Sequence, residues 1–161
     1  MAALLGSEFS VDDLGAVMVR ETGELSGIVA EALSVGVLES TEGQLRFRHG
    51  LLKEALYEAT PLALRTALHQ HAAKELIASG APVERIAELI LPALDVVHGW
   101  EVDWLADNAR HLVDRAPDIA MELLEHALGH IEPTDPRSSV LALIRRCAGC
   151  SFSSSTIGRV F

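Results

Sequence analysis

Two groups of side chains have residue types and a spacing that could hold a metal ion. Glu122, His126 and His130 are four residues apart and would share one helical face. The HExxH pattern is absent, and a solvated face of an Ala- and Leu-rich helix explains the same residues. Cys147 and Cys150 have CxxC spacing, but a structural zinc site needs four ligands and no second CxxC occurs. We therefore predict no metal site at either position.

The other chemical signals argue against an independent enzyme. His69 and His71 are two residues apart and would point in different directions on a helix, so they do not form a site together. Neither phosphate-loop pattern, GxxxxGK[ST] or GxGxxG, occurs. No GxSxG or Cys/His arrangement indicates acyl transfer. We expect no catalytic residue, and no cofactor held by this chain alone.

One histidine stands where the periodicity changes. The stretch LRFRHGLLKEALY, from Leu45 to Tyr57, alternates polar and apolar residues up to Arg48 and takes helical spacing after Gly50. His49 therefore lies at a corner between a strand and a helix. We take it as the candidate binding residue.

The fold that surrounds this corner should be mainly helical. The 161 residues suffice for one domain or two small ones. Hydrophobic residues make up 49% and are mostly Ala, Leu, Val and Ile, whereas aromatic residues make up only 4%. This composition favours close-packed helices over a sandwich or a barrel.

Charge and targeting signals narrow the classes of function. A net charge of −10 argues against a general nucleic-acid binder, which needs a basic surface. No apolar run could span a bilayer, and the N-terminal MAALLGSEF lacks the basic region of a secretory signal. We therefore expect a cytoplasmic protein with no membrane contact. Between residues 21 and 44 there is no Lys or Arg, but there are five glutamates: Glu21, Glu24, Glu31, Glu39 and Glu42.

Two helices are predicted before the corner. Ser10 should cap the first, whose apolar positions continue to Met18 and which Gly23 breaks. The second should extend from Glu24 to Val35, with Gly36 as the stop. Residues 37–39 and 44–48 then read as two short strands around a Gly-containing turn, which predicts a hairpin.

Two more helices should follow the corner. Leu52, Leu56 and Ala59 form a helical stripe, and Thr60-Pro61 should separate it from the next helix, with Thr60 as a cap. Gly80 closes that helix. The order helix, helix, hairpin and helix is that of a winged-helix domain, which we place at residues 1–79.

A helical, repeat-like region is predicted over residues 80–131. After a first stripe, Pro92 should bend or end the helix. Residues 103–115 and 117–131 read as an antiparallel pair. The pair carries the apolar spacing of a tetratricopeptide repeat at Trp104, Ala120, Leu124 and Ala127, but departs from it at Asp107, Asn108 and His111.

The last segment, residues 132–161, should differ in character. Residues 135–146 could begin a further helix, whereas CAGCSFSSSTIGRVF, from Cys147 to Phe161, is Ser-rich and aperiodic. We expect a disordered end, or a foreign one left by truncation or a frame change.

The helix before the hairpin would be the recognition helix of a winged helix. It offers Glu24, Ser26, Glu31 and Ser34 where base and phosphate contacts need Arg, Lys, Asn or Gln. Two wing arginines, Arg46 and Arg48, cannot offset that acidity alone. We expect no direct nucleic-acid binding by this segment.

A family resemblance adds to this picture. The stretch Val35 to Leu76 resembles the winged-helix segment of bacterial STAND-type signalling ATPases, which are AAA-like. It is most similar to that of large LuxR-type transcriptional regulators. The resemblance covers about residues 1–131. Its features are the RFRH end of the strand, Leu52, Glu54, Tyr57, Pro61, Arg65, Leu68 and His69.

The resemblance implies a role for His49. In related STAND proteins a histidine at this corner, the MHD motif of plant immune receptors, senses bound ADP. By resemblance, His49 would contact the ADP phosphate supplied by the parent's nucleotide-binding domain. A ring nitrogen and a helix N-terminus both suit a phosphate. Gly50 stands where the immune receptors have Asp, and simple capping of the helix is the other interpretation of His49.

The sequence therefore predicts a fragment of a STAND-type ATPase regulator that couples nucleotide state to a helical sensor region. Its partners would be the parent's nucleotide-binding domain, further helical repeats and a protein or small-molecule inducer. Two alternatives stay open. The chain could be a stand-alone helical protein-interaction module, or the regulatory middle segment of a cyclase or protein kinase.

Overall fold

The computed structural model describes residues 1–18, 20, 22–94 and 99–155, with the backbone alone at 22 and 149–155. The chain divides into two compact units, Met1–Ala81 and a second that begins at Pro82. The predicted first boundary, at residue 79, lies within two residues of this division. Each unit is described separately.

Unit 1 is a helical domain with a small sheet. A short 3-10 helix at Ala2–Leu4 precedes the first strand. The elements that follow are β1 Glu8–Phe9, α1 Val11–Met18, α2 Thr22–Ser34, β2 Leu38–Thr41, β3 Gln44–Phe47, α3 Gly50–Glu58 and α4 Leu62–Ala78.

The sheet has three antiparallel strands in the order β1-β3-β2. The predicted hairpin is present as β2 and β3, with Glu39 opposite Arg46. Its two-residue turn has φ of 52° at Glu42 and 83° at Gly43, the positive φ pair of a type I′ turn. The strand β1, which the sequence did not predict, pairs Phe9 with Leu45.

The ends of the unit 1 helices show which local signals were correct. Ser10 and Asp13 form a reciprocal capping box, in which the Asp13 N–H donates to Ser10 Oγ at 2.9 Å and the Ser10 N–H donates to Asp13 Oδ2 at 3.1 Å. Gly36 follows α2 with a φ of +73°, as expected of a stop. The expected break at Gly23 was wrong, because α1 ends at Met18 and Gly23 lies in the first turn of α2.

The boundary between α3 and α4 also differs from the prediction. Pro61 occupies the N-cap position of α4, and the Thr60 hydroxyl donates instead to the Leu56 carbonyl at the end of α3. Gly80, with a φ of +73°, follows the end of α4 as expected.

The core of unit 1 lies between the sheet, α1, α2 and α4. Its most deeply buried large side chains are Leu5, Phe9, Val17, Leu25 and Leu76. The predicted stripe on α3 is not part of this core. No residue of α3 is buried, and Leu51 and Leu56 are 80% and 47% exposed. The amphipathic pattern of α3 was real, but the described part of the chain does not cover it.

Unit 2 is helical over its described residues. It consists of α5 Val83–Ile90, a 3-10 turn at Leu91–Ala93, α6 Gly99–Arg115, α7 Pro117–His130 and α8 Pro136–Ser155. Pro92 lies in the 3-10 turn, so α5 ends just before it, as expected. The first turn of α6 lies near the last turn of α7, since a shared apolar cavity is lined by Val102, Trp104 and Ala127. The predicted antiparallel pair is therefore present.

The segment after residue 131 belongs to unit 2. The helix α8 packs against α6 and α7, with Leu141 fully buried. It continues to Ser155, nine residues past the point at which we expected helical periodicity to end. From Cys147 to Ser155 the chain is therefore helical, where we expected disorder. Residues 156–161, the rest of the predicted tail, lie outside the described residues.

Within the described part of the chain, no helix combines the length and apolar character that crossing a bilayer requires.

Candidate functional site

His49 stands at the N-cap of α3, at the predicted corner. Its backbone is extended, with φ −126° and ψ 116°, and its carbonyl accepts hydrogen bonds from the N–H groups of Leu52 and Lys53 at 3.0 and 3.4 Å. The imidazole makes no capping hydrogen bond and is exposed. The interpretation of His49 as a side-chain cap is therefore wrong, and the ring is accessible to a group from outside unit 1.

The corner carries basic residues and no acidic one in the first turn of α3. Arg48 continues the hairpin ladder through its N–H to the Val37 carbonyl at 3.1 Å, and its guanidinium lies against Gly36. The first turn of α3 contains no acidic residue. The unpaired N–H groups of a helix N-terminus add positive potential there. Arg48 and Lys53 are the basic residues on either side of this helix N-terminus in the sequence.

Three residues of the family-like stretch converge in one cluster between α3 and α4. The Tyr57 hydroxyl lies 3.1 Å from Nε2 of His69, and the Arg65 guanidinium stands 4.8 Å from the centre of the Tyr57 ring. His69 is only 3% exposed. Burial, and secondarily the nearby charge of Arg65, lower the pKa of His69 to about 4. This cluster links α3 to α4 through a buried histidine and two half-buried side chains, so we assign it a structural role.

His71 has a separate partner, as the sequence indicated. Its Nε2 lies 3.1 Å from the Val17 carbonyl, and so ties α4 to the end of α1. His69 and His71 therefore do not share a site.

The solvent face of α2 is acidic and has few donors. Glu24 and Glu31 are exposed, and the hydroxyls of Ser26 and Ser34 donate to carbonyls of their own helix at 2.7 and 2.8 Å. On the hairpin, Arg46 pairs with Glu39 at 2.5 Å. Of the side chains that a recognition helix and wing would offer to DNA, Glu24 and Glu31 are acidic and those of Ser26, Ser34 and Arg46 are already hydrogen-bonded, which leaves Arg48.

The structure describes all three residues of one metal candidate, Glu122, His126 and His130, but only one side chain of the Cys147 and Cys150 pair. The rings of His126 and His130 stack at 4.5 Å, and Nδ1 of His130 lies 2.9 Å from the His126 carbonyl, while Glu122 is exposed. Among the described residues, no group of three His, Cys, Asp or Glu side chains could hold a metal ion. Cys147 is exposed, and the side chain of Cys150 lies outside the described set.

The repeat-like positions of unit 2 pack in the helix pair. Ala120, Leu124 and Ala127 are buried, and Trp104 is half-buried beside them. Asn108, where a tetratricopeptide repeat prefers Gly, donates from Nδ2 to the Trp104 carbonyl at 2.8 Å. These residues form a packed interface and no polar site.

Unit 1 has an open apolar groove that the sequence did not predict. Its volume is about 470 Å³, and its lining includes Leu4, Leu14, Ile28, Val29, Phe47 and Leu56. Ile28, at 52% exposed, and Leu56 form accessible walls from α2 and α3. The only local signal was the apolar stripe of α3, to which Leu56 belongs.

In comparisons with known proteins, no family model, no curated protein and no solved structure matches this chain.

Proposed function

We propose that this chain is the winged-helix and helical-repeat segment of a STAND-type ATPase regulator of the large LuxR type. In that role it would couple the nucleotide state of the parent's core to a helical sensor region. It would not catalyse a reaction or read DNA itself. The observation that carries the proposal is the exposed imidazole of His49 at the basic N-terminus of α3.

The topology of unit 1 supports the winged-helix part of the proposal. Two helices precede a hairpin, and a strand before them completes a three-stranded antiparallel sheet. In this proposal the hairpin is the wing, and its second strand ends two residues before His49. In unit 2, the packed pair α6 and α7 supports the repeat-like part, because it buries small and branched apolar residues at repeat spacing.

The mechanism follows from the position of His49. A phosphate brought by an adjacent nucleotide-binding domain would meet a ring nitrogen of His49 and the N–H groups of Gly50 and Leu51, because those of Leu52 and Lys53 donate to the His49 carbonyl. This contact would stabilise the arrangement in which ADP is bound. Loss of the contact on nucleotide exchange would shift the population toward an arrangement with the segment released. His49 would thus be a state-dependent contact and not a catalytic group.

A stand-alone helical interaction module is the second candidate. The exposed leucines of α3 and α4 favour it, since Leu51, Leu62 and Leu64 are each at least half exposed. The regulatory middle of a cyclase or protein kinase stays as a third candidate.

The flanking DNA sequence distinguishes the three candidates. A Walker A segment upstream and a basic helix-turn-helix downstream favour the regulator, a cyclase or kinase domain favours the third, and stop codons on both sides favour the module.

The functional test is His49→Ala in the parent protein. We expect weaker retention of ADP and a higher basal activity, because one phosphate contact is lost. His130→Ala, which removes an exposed imidazole from unit 2, should change neither and serves as the control. Unchanged ADP affinity and unchanged basal output in the His49→Ala protein would refute the sensing role.

A further inference from the structure

We infer that the apolar groove of unit 1 binds an amphipathic helix that carries Lys or Arg along one flank. This inference is independent of the proposed nucleotide contact, because it concerns a different surface and a protein partner of stated chemistry. It rests on the accessible walls of the groove and on the charge at its edge.

The walls have the chemistry of a helix-binding groove. Ile28 of α2 and Leu56 of α3 are 52% and 47% exposed, while the floor includes the buried Leu14 and the half-buried Phe47. An accessible apolar groove between two helices accepts side chains at i, i+3 or i+4 and i+7 of a partner helix. The volume of about 470 Å³ allows several such side chains to enter.

The α2 edge of this groove is acidic. Glu24 precedes Ile28 by four residues and Glu31 follows it by three, so both flank Ile28 along one helical face. The buried residues of α2, Leu25 and Val29, lie on the other side of Ile28. Glu24 and Glu31 are exposed, and the chain has no Lys or Arg from residue 21 to 44. We call Glu24, Ile28 and Glu31 the α2 edge.

The charge at the α2 edge selects the occupant. Nucleic acids and anionic lipid surfaces would be repelled by Glu24 and Glu31. A helix with an apolar stripe and a basic flank would bury its stripe between Ile28 and Leu56 and place its cations beside the two carboxylates. A helix with an acidic flank would meet like charges at the same edge.

Two synthetic peptides test the inference with the full chain. Both have ~18 residues and the same Leu stripe at helical spacing. One carries Lys on the flank and the other carries Glu. Binding is measured by fluorescence anisotropy at low and high salt, and the contacted residues are located from amide chemical shifts. We expect the Lys peptide to bind at the groove, the Glu peptide to bind at least about tenfold more weakly, and salt to reduce the difference.

Matched variants separate the charge contribution from the apolar one. Glu24→Lys combined with Glu31→Lys should weaken the Lys peptide about tenfold and strengthen the Glu peptide. Ile28→Asn should weaken both, and Ile28 is exposed enough for the variant to fold, which circular dichroism checks. The controls are Glu122→Lys and Leu143→Asn, at exposed positions of unit 2, which should bind like the unmodified chain.

Three results would overturn the inference. The first is equal binding of the two peptides or binding of neither. The second is a set of shifted amides that excludes the α2 edge and α3. The third is a concentration-dependent dimer that Ile28→Asn abolishes, because a second copy of the chain would then cover the groove.

Discussion

The buried His69 should make the stability of unit 1 depend on pH. Burial, followed by the charge of Arg65, lowers the pKa of this imidazole from 6.5 to about 4. Nδ1 of His69 is buried without a hydrogen-bond partner among the described residues. In the charged ring both nitrogens carry a proton, so an Nδ1–H would have no acceptor and would lie near the Arg65 charge. The folded site therefore favours the neutral ring.

The direction of the pH dependence follows from which state of the chain, folded or unfolded, binds the proton of His69 more tightly. The unfolded chain takes up the proton near pH 6.5, but the folded chain does so only near pH 4. The contribution of His69 is therefore fully present above about pH 6.5 and is lost as the pH falls toward 4. For these two pKa values, the loss between about pH 7.5 and about pH 5 is about 2 kcal/mol.

The measurement compares the unmodified chain with His69→Gln. Glutamine does not titrate, but can still pair with the Tyr57 hydroxyl. Urea denaturation is followed by hydrogen exchange in peptides from α4, so that unit 1 is observed separately. The free energy of unfolding of the unmodified chain should fall by about 2 kcal/mol more than that of the variant between these pH values. His71→Gln, which keeps His69 intact, should retain the unmodified pH dependence.

Equal pH dependence in the unmodified chain and His69→Gln would refute the reasoning. It would mean that His69 is solvated or moves to solvent when protonated. A second variant tests the hydrogen bond itself. Tyr57→Phe should lower stability by roughly 1–3 kcal/mol, because the buried Nε2 of His69 then loses its partner.

Three further variants test local structure and packing. Glu42→Asn should stabilise unit 1 by roughly 0.5–1 kcal/mol, because Asn tolerates the φ of 52° at this turn position better than Glu. An unchanged midpoint of urea unfolding would contradict the turn assignment. Ser10→Ala should cost about 1 kcal/mol through loss of the capping box, whereas Ser10→Asp should retain most of the stability in the same urea titration. Leu141→Ala should lower the stability of unit 2 by roughly 2–5 kcal/mol, because Leu141 is fully buried. Unfolding of unit 2 is measured by tryptophan fluorescence, and Leu143→Ala, at an exposed position, is the control. Equal stability of the two variants would show that α8 is not part of the core.

Features that depend on a few neighbouring residues were predicted well. The Ser10 cap, the stop at Gly36, the hairpin and the end of α5 before Pro92 all follow from local hydrogen bonding and backbone sterics. The position of His49 between strand and helix also followed from a change of periodicity. The local signal at Gly23 was misleading. Glycine often ends a helix, but a helix also tolerates glycine in its first turn, which is where Gly23 lies in α2.

The amphipathic pattern of a helix did not determine what the helix faces. The stripe of α3 was predicted from its helical spacing, but no residue of α3 is buried, and Leu56 lines an open groove. Conversely, the Ser-rich stretch after Cys147 showed no apolar period, yet α8 continues through it to Ser155. Burial depends on which surfaces the rest of the chain presents, and a sequence period carries no information about that.

By itself, the sequence determined the mainly helical class, the hairpin, the corner at His49 and the acidity of α2, because composition, turn chemistry and charge act over a few residues. The tertiary structure decided which distant residues meet. It paired Phe9 with Leu45, joined Tyr57 to His69, and packed Leu141 against the helix pair. It also left the ring of His49 exposed and opened the groove beside Ile28. These features required the packing of elements far apart in the chain, since each depends on a partner surface that no local pattern encodes.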